Sequence, residues 1–247
     1  MVPKIIHYCW FGKKPLPILA KKCIESWKRF LPDYEIREWN EDNFDINVIP
    51  YTKEAYKAKK YAFVSDYARF WILYKYGGLY FDTDVEIIKP INDIIDNGSF
   101  MGCESEFQIG ISTKSVAPGL GLGCYAKHPF YKKMLDIYAN IHFIKDDGTF
   151  NFTTIVEYTT KCLRNEGLRD STEIQNIANI WIYPKDYFCP IDYTSKQCLI
   201  TENTRTIHHF AASWHPKNKI LSKCIKFIFG EKIFNAIIKL RNFIKQK

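Results

Sequence analysis

The stretch Tyr61–Glu86, YAFVSDYARFWILYKYGGLYFDTDVE, constrains the fold of this chain more than any other. From Tyr56 to Tyr76 the apolar residues Ala62, Phe63, Tyr67, Phe70, Ile72 and Leu73 recur at helical spacing, with no Pro or Gly among them. Gly77-Gly78 then supplies the left-handed backbone that ends a helix. Asp66 and Arg69 stand three apart, so a helix places them on one face, where both can meet a common ligand. After the glycines Leu79-Tyr80-Phe81 starts a strand, and a strand would turn Asp82 and Asp84 to the same side. Neighbouring carboxylates repel, so keeping both ionised requires a cation or a strong donor network. An Asp-x-Asp at a strand end suits a hard divalent ion that leaves positions open for phosphate oxygens. The plain alternative is a solvated acidic turn after an edge strand. The helix pair, the glycines and the aromatic strand beside it favour a site.

The surrounding chain alternates strands and helices. Lys4–Phe11 is predicted as a buried strand opening into the loop Gly12–Pro15, and Leu16–Phe30 as a helix with the stripe Leu19, Ala20, Cys23, Ile24, Trp27, ended by Pro32-Asp33. Tyr34–Trp39 reads as a second strand, and a polar segment, Asn40–Ile49, leads into the helices before the central run. A strand–helix–strand–helix–strand order implies a parallel sheet, whose ligands bind at the carboxyl ends of the strands. The Asp-x-Asp falls at such an end. Beyond it, Val85–Lys89 is expected to continue as a strand, with Phe100–Glu104, Phe107–Ser112 and Gly119–Ala126 as further strands. Phe130–Ile141 and Thr153–Arg164 read as helices, and Ile180–Tyr183 and Leu199–Ile207 as late strands. No repeat or linker precedes Pro216, so residues 1–216 read as one catalytic α/β domain and 217–247 as a tail.

A length of 247 residues suffices for one such domain, and 47% hydrophobic with 25% charged residues indicates a folded rather than a disordered chain. The formal charge of +8 looks like a nucleic-acid signal until it is located. Nine Lys and Arg residues from Lys217 to Lys247, against Glu231 alone, account for all of it. The nearly neutral body argues against a nucleic-acid partner. In the tail, Ile220, Leu221, Cys224, Ile225 and Ile228, then Ile233, Phe234, Ile237, Ile238, Leu240 and Ile244, form stripes flanked by Lys and Arg. That is the pattern of amphipathic helices lying on an anionic membrane surface; the alternative is packing on the domain or on a second subunit of a homo-oligomer. The eight cysteines show no Cys-x-x-Cys and no metal-ligand spacing, which reads as reduced core thiols. No signal peptide and no apolar run of membrane-span length is visible, so a cytoplasmic location is expected, with the inner face of the membrane open to the tail.

Ser65-Asp66-Tyr67-Ala68-Arg69 and Tyr76-Gly77-Gly78-Leu79-Tyr80-Phe81-Asp82-Thr83-Asp84 resemble the sugar-binding Asp-x-Asp region of glycosyltransferase family 32. Pro3–Gly12 and Ile207–Trp214 resemble the family's first and last blocks, so the likeness runs from residue 3 to about residue 215 in the expected order. That family includes fungal mannosyltransferases and bacterial capsule and lipopolysaccharide enzymes, and is related to large glucosylating toxins. The resemblance implies a GT-A type, Rossmann-like, mostly parallel sheet flanked by helices, followed here by C-terminal amphipathic helices. It also implies a retaining transfer of a hexose from a nucleotide sugar, in the first place a UDP-sugar, to a glycan or lipid-linked saccharide, with Mn²⁺ or Mg²⁺ as cofactor.

Trp10, ending the first strand, offers a ring on which uracil can stack, worth ~1–3 kcal/mol per base; the resemblance supports that role, and the alternative is a core tryptophan. Ser65, Asp66 and Arg69 resemble the family's sugar contacts, since a carboxylate accepts hydroxyl hydrogen bonds and a guanidinium holds hydroxyls or phosphate oxygens. An internal ion pair is the alternative for Asp66 and Arg69. Asp82 and Asp84 would hold the metal, Asp84 more directly, with Asp82 reaching ribose and sugar hydroxyls. In the last block the resemblance favours His209 over His208 as a further metal or diphosphate contact, and Ser213 and Trp214 as donors to the leaving phosphate. No residue declares itself a nucleophile, so front-face departure and attack are expected, the leaving phosphate accepting the acceptor's proton. Glu104 and Glu106 stand in a strand-end region open to the acceptor, and nothing in the sequence fixes that role. Thr149–Thr160 lacks a Thr-Gly-Pro turn found in many members, so no acceptor contact is carried over there.

Two other classes use the same residues. Phe81–Val85 fits the Asp-x-Asp-x-Val strand of haloacid-dehalogenase phosphatases, with Asp82 as nucleophile, Asp84 as acid/base and Asp146-Asp147 as the late acidic pair. The position well inside the chain, after a long helix, and the missing Lys motif weigh against it. A non-catalytic, membrane-associated sugar-binding protein would need only the metal site.

Overall fold

The computed structural model describes residues 1–105, 114–192 and 197–211. The chain runs β1 (Ile5–Cys9), α1 (Ile18–Phe30), β2 (Glu35–Trp39), α2 (Pro50–Lys57), α3 (Tyr61–Tyr76), β3 (Gly78–Tyr80), β4 (Val85–Ile87), α4 (Asn92–Asp96) and β5 (Phe100–Ser105). It continues through β6 (Ser115–Val116), β7 (Leu122–Cys124), α5 (Pro129–Ala139), α6 (Ile155–Asn165), β8 (Gln175–Ile177), β9 (Ile180–Tyr183), α7 (Lys185–Phe188) and β10 (Thr206–His208). The main sheet has the order β2-β1-β3-β7-β5-β9-β8, with β6 on β5. β1 lies parallel to both β2 and β3, and β5 is parallel to β9, whereas β7 and β8 run against their neighbours. The architecture is the expected α/β one with a mostly parallel sheet.

The period of two in each strand divides the core. Ile6 and Tyr8 of β1, Leu79 of β3, Phe100 of β5 and Tyr183 of β9 join Cys23, Ile24 and Trp27 of α1 and Phe188 of α7 on one face. Cys9, Tyr80, Met101, Cys103, Ile180 and Ile182 join α3, α5 and α6 on the other. α3 is buried nearly all round, between α2, α5 and the sheet. Its polar residues are therefore carried into the interior with it.

β1 is where the chain changes direction across the sheet. It leaves β1 through α1 to β2 on one side, and returns through α2 and α3 to β3 on the other. A crevice outside the carboxyl ends of such strands is the usual ligand site of an α/β sheet.

Several expectations are corrected. The apolar run Tyr56–Tyr76 is not one helix: α2 and α3 are separated at Ala58–Lys60, where Lys59 has φ 57°. Both flanks face one core, which is why the periodicity reads through the break. Asp82 and Asp84 do not lie on a strand but in a turn closed by Val85 N donating to the Asp82 carbonyl at 3.0 Å. Val85–Lys89 does not extend the main sheet; β4 pairs antiparallel with β10 in a separate ribbon. The late strand shrinks to Thr206–His208, since Leu199 and Ile200 are exposed and Thr201–Thr204 is a turn. α4, α7, β6 and β8 carried no recognised signal. The expected strand Phe107–Ser112, Glu106, Ser213, Trp214 and the tail 217–247 lie outside the described residues. Among the described residues, no helix is long and apolar enough to cross a membrane.

Candidate active site

The pair of glycines after α3 sets the geometry. Gly77 and Gly78 have φ of 66° and 100°, and a Cβ on Gly78 would stand 2.6 Å from the Ile5 carbonyl oxygen. Only glycine lets the chain drop from α3 straight into β3 beside β1. The tight connection brings Arg69, two turns before the helix end, opposite Asp82, just past the end of β3. Arg69 donates to Asp66 Oδ1 at 3.0 Å and lies 3.3 Å from Asp82 Oδ1 through the same nitrogen. Its Nε donates to the Ser65 carbonyl at 3.2 Å, and its guanidinium covers the Tyr80 ring at 4.9 Å. Tyr80 in turn donates its hydroxyl to Asp82 Oδ1 at 3.1 Å. Gly119 closes the back: its carbonyl accepts from Asp82 N at 3.0 Å, and a Cβ there would collide with the Asp82 carboxylate.

One guanidinium thus serves two carboxylates. Burial, with Asp82 adding its charge, pushes the Asp66 carboxyl up to about 7 against the pull of Arg69. Burial likewise raises Asp82, helped by Asp84 and opposed by Arg69. The two carboxylates in turn keep Arg69 charged against its burial. Such a set can hold a ring of hydroxyls, accepting through the carboxylates and donating through the guanidinium.

Asp84 belongs to a second cluster, built by the ribbon. A two-stranded ribbon is marginal by itself, and this one rests on α1 and α7. Trp27 donates to the Val85 carbonyl at 2.7 Å, Ile87 N donates to Ser26 Oγ at 2.9 Å, and Thr206 donates to the Phe188 carbonyl at 3.1 Å. β10 thereby brings His208 Nε2 to 3.1 Å from Asp84 Oδ1. His209 turns away to Glu86 Oε2 at 2.8 Å, although its backbone N–H donates to the Asp84 carbonyl. The structure places His208, not the favoured His209, against the Asp84 carboxylate: the ribbon pairs His208 with Val85, so a regular ladder would set Asp84 opposite His209, but Asp84 lies in the turn before β4 and its side chain meets His208. Burial opposes a charge on His208, yet the hydrogen bond and charge of Asp84, with Asp82 and Glu104 behind, raise its pKa. Its Nδ1 is buried and without a hydrogen-bond partner among the described residues.

Asp84 and His208 are the donors that fit a cation. Their 3.1 Å separation is that of an ion pair, and with the imidazole neutral it would also suit neighbouring donors on a Mg²⁺- or Mn²⁺-sized ion, about 3 Å apart for bonds near 2.1 Å. Asp82 stands two residues away with its Oδ1 engaged by Arg69 and Tyr80. Among the described residues no three His, Cys, Asp or Glu side chains form a closed cage, so oxygens of a substrate would complete the coordination.

Trp10 stands at the end of β1, half-buried, its indole N–H donating to the Lys14 carbonyl at 2.5 Å. It lines a shallow pocket of about 390 Å³ with Glu38, Asn40 and Glu41. Although burial opposes it, hydrogen bonds from Gly12 N and the Tyr56 hydroxyl hold the Glu41 carboxyl low. Ser65 is part-buried on α3 with its hydroxyl donating back to the Tyr61 carbonyl at 3.2 Å. Tyr80 and Gly119 are the site residues that sequence reasoning passed over, while His208 was weighed there as the less favoured of the two histidines. Only Tyr80 had a local signal, standing two residues before Asp82. The phosphatase pairing finds no support, because Asp147 is engaged in its own turn with Thr149.

The model of the glycosyltransferase sugar-binding region containing a DXD motif matches residues 17–101, from before α1 into β5. An uncharacterized glycosyltransferase of Acanthamoeba polyphaga mimivirus is 27% identical over 254 residues, covering 96% of this chain and 92% of its own length. Inositol phosphoceramide mannosyltransferase 1 of Schizosaccharomyces pombe is 26% identical over 170 residues, 64% of this chain and 47% of the yeast protein. This chain therefore spans about half of that relative. Among solved structures, PaToxG glycosyltransferase is similar at 19% identity over 67% of this chain and 70% of its own, with a TM-score of 0.49. The matched region contains Asp82-Thr83-Asp84 as its Asp-x-Asp, and the near-full-length relative extends the likeness to both ends of the chain. The chain is a glycosyltransferase, and the turn between β3 and β4 carries the DXD motif of its sugar-binding region.

Proposed function

We propose that the chain moves a hexose from a nucleotide sugar, in the first place a UDP-sugar, to a glycan or lipid-linked saccharide acceptor in surface-polysaccharide synthesis, with retention of configuration. The observation that carries the metal-dependent part of this reading is the approach of His208 to Asp84, beside an Asp82 already clamped by Arg69. In this reading Asp66, Arg69 and Asp82 orient the sugar through its hydroxyls, and Trp10 stacks on the base in the pocket at the end of β1. Asp84 and His208 hold Mn²⁺ or Mg²⁺, which when bound would neutralise charge on the departing diphosphate. Ser213 and Trp214 donate to the leaving phosphate. Retention and front-face attack rest on the family resemblance. The basic tail is proposed to rest on an anionic membrane, which suits a lipid-linked acceptor.

Screening UDP- and GDP-sugars for hydrolysis with and without Mn²⁺ tests the donor and the metal together. GDP-mannose belongs in the panel because the yeast relative is a mannosyltransferase. Mn²⁺-dependent release of UDP from one UDP-sugar is the expected result. Full activity in EDTA would refute the metal assignment, and turnover of GDP-sugars alone would refute the uridine assignment. For the tail, cosedimentation with anionic vesicles at low salt is expected, and its absence would leave the stripes as packing surface.

A further inference from the structure

Glu41 stands two residues past the end of β2, in the wall of the Trp10 pocket, and joins the turn after β1 to α2. Its Oε1 accepts from the Gly12 backbone N–H at 2.7 Å and from the Tyr56 hydroxyl at 2.9 Å. The turn it reaches is a strained one. Gly12 and Lys13 have φ of 98° and 55°, so two successive residues take the left-handed region, and only the first is a glycine. Two ties flank that pair. Glu41 holds the Gly12 N–H on one side, and the Trp10 indole N–H holds the Lys14 carbonyl at 2.5 Å on the other. The chain entering the turn is fixed as well. Trp10 N donates to the Trp39 carbonyl at 2.8 Å, and the buried Phe11 packs on Phe44 with ring centroids 5.7 Å apart. Gly12 itself rests on the Tyr61 ring, where a Cβ would stand 2.5 Å away.

Strained backbone persists only where its surroundings over-determine it, and it gathers at ligand clamps. What this turn aims is the Trp10 ring. An indole has a single N–H, and here it is spent on Lys14, beyond the left-handed pair, so the ring cannot rotate unless the turn moves with it. Glu41 is the side chain that holds the turn from the β2 side, and Tyr56 holds Glu41. We propose that Glu41 is a positioning residue for the donor nucleotide: by fixing the Gly12-Lys13 turn it presets the Trp10 ring for the base. The inference rests on the reading of Trp10 as the base-stacking ring, and adds the residue that prepares that ring. Preorganisation of this kind lowers the ordering cost of binding and leaves the chemical step alone.

A double-mutant cycle between Glu41 and Trp10 tests this, read by calorimetry with UDP and with GDP and accompanied by thermal melting. For the nucleotide that the wild type binds, Trp10→Ala is expected to lose about 10- to 100-fold in affinity. Glu41→Ala should lose about 3- to 10-fold, less than Trp10→Ala because it acts through that ring. Added to Trp10→Ala, Glu41→Ala should cost less than about twofold more. Glu41→Gln, which keeps an acceptor oxygen, should recover most of the affinity. In hydrolysis of the corresponding sugar nucleotide, the loss in Glu41→Ala should fall on KM, with kcat within about twofold of wild type. Unchanged affinity in Glu41→Ala, an equal loss in the Trp10→Ala background, or no recovery in Glu41→Gln overturns the positioning role and leaves Trp10 as the stacking ring. If Glu41→Ala does not fold, Tyr56→Phe carries the same cycle with a smaller loss, and additivity with Trp10→Ala overturns the role there too. Unchanged affinity in Trp10→Ala, or a wild type that binds neither nucleotide, fails the reading of the pocket itself, and the role of Glu41 falls with it.

Discussion

His7 and His208 lie in two regions of one molecule and answer burial in opposite ways. His7 is fully buried beneath the crevice, on β1. Trp39 donates to its Nδ1 at 3.0 Å, and its Nε2 therefore donates to the Gly77 carbonyl, also at 3.0 Å. Its pKa is pushed down to about 4, chiefly by burial. At the mouth His208 meets Asp84 instead, and its pKa is raised despite burial. The difference lies in the partners. Below, fixed neutral dipoles satisfy a neutral ring and leave nothing for a ligand to replace. At the mouth, carboxylates share one guanidinium and one imidazole, partners that an incoming cation or hydroxyl can exchange. The lower region is built to stay as it is, and the mouth is built to be completed.

The largest effect should come from the guanidinium. Arg69→Ala leaves Asp66 and Asp82 facing each other without a cation, and is expected to lose about 3–5 kcal/mol of stability together with all donor turnover. Urea unfolding checks this, and a variant of wild-type stability would break the picture of a charge-balanced mouth. Arg69→Lys should recover some stability but little activity, since an ammonium cannot reproduce the planar fork.

The region below the crevice should show itself in pH. The folded pKa of His7 is about 4 against 6.5 unfolded, so only the unfolded chain takes up this proton as pH falls between those values. Its contribution is complete above pH 6.5 and is progressively lost toward pH 4, by roughly 3 kcal/mol. Urea midpoints of wild type and His7→Gln across that range should diverge in slope, the variant being flatter. Parallel slopes would mean that the ring is not locked neutral.

Asp84→Asn separates function from fold. It should lower donor hydrolysis by ~10²-fold or more, because charge stabilisation at the leaving group is lost, while melting stays close to wild type. Unchanged turnover would remove Asp84 from the metal site. The smallest effects distinguish the two late histidines. His208→Ala is expected to lower Mn²⁺ affinity about tenfold, whereas His209→Ala removes a half-exposed pair with Glu86 worth under ~1 kcal/mol. The reverse order in a Mn²⁺ titration would return His209 to the metal.

The legible parts of the site are those that local geometry dictates. Asp66 and Arg69 share a helix face because they are three residues apart, and the helix ends at Gly77-Gly78 because those residues accept positive φ. The Thr154-x-x-Glu157 capping box, which starts α6, was equally readable and was passed over in favour of periodicity. The break at Lys59 was hidden because both its flanks face one core. Gly119 behind Asp82 had no signal at all, since its role is an approach between segments 37 residues apart in number but touching in space.

Helix and strand periods, the glycine stop and the alternation of elements depend on contacts within a few residues. They were enough to fix an α/β chain with its carboxylates at the carboxyl end of a parallel strand. Which charges meet there was decided by tertiary structure. Asp82 and Asp84 were expected to act side by side from a strand; a turn instead hands Asp82 to Arg69 and Asp84 to His208. The choice between His208 and His209 follows from the turn before β4: the register pairs His208 with Val85, and Asp84, outside that ladder, turns its carboxylate to His208 while His209 meets Glu86 across 123 residues. No local pattern encodes it, because the pairing energy arises only once α1 and α7 have closed beneath the ribbon.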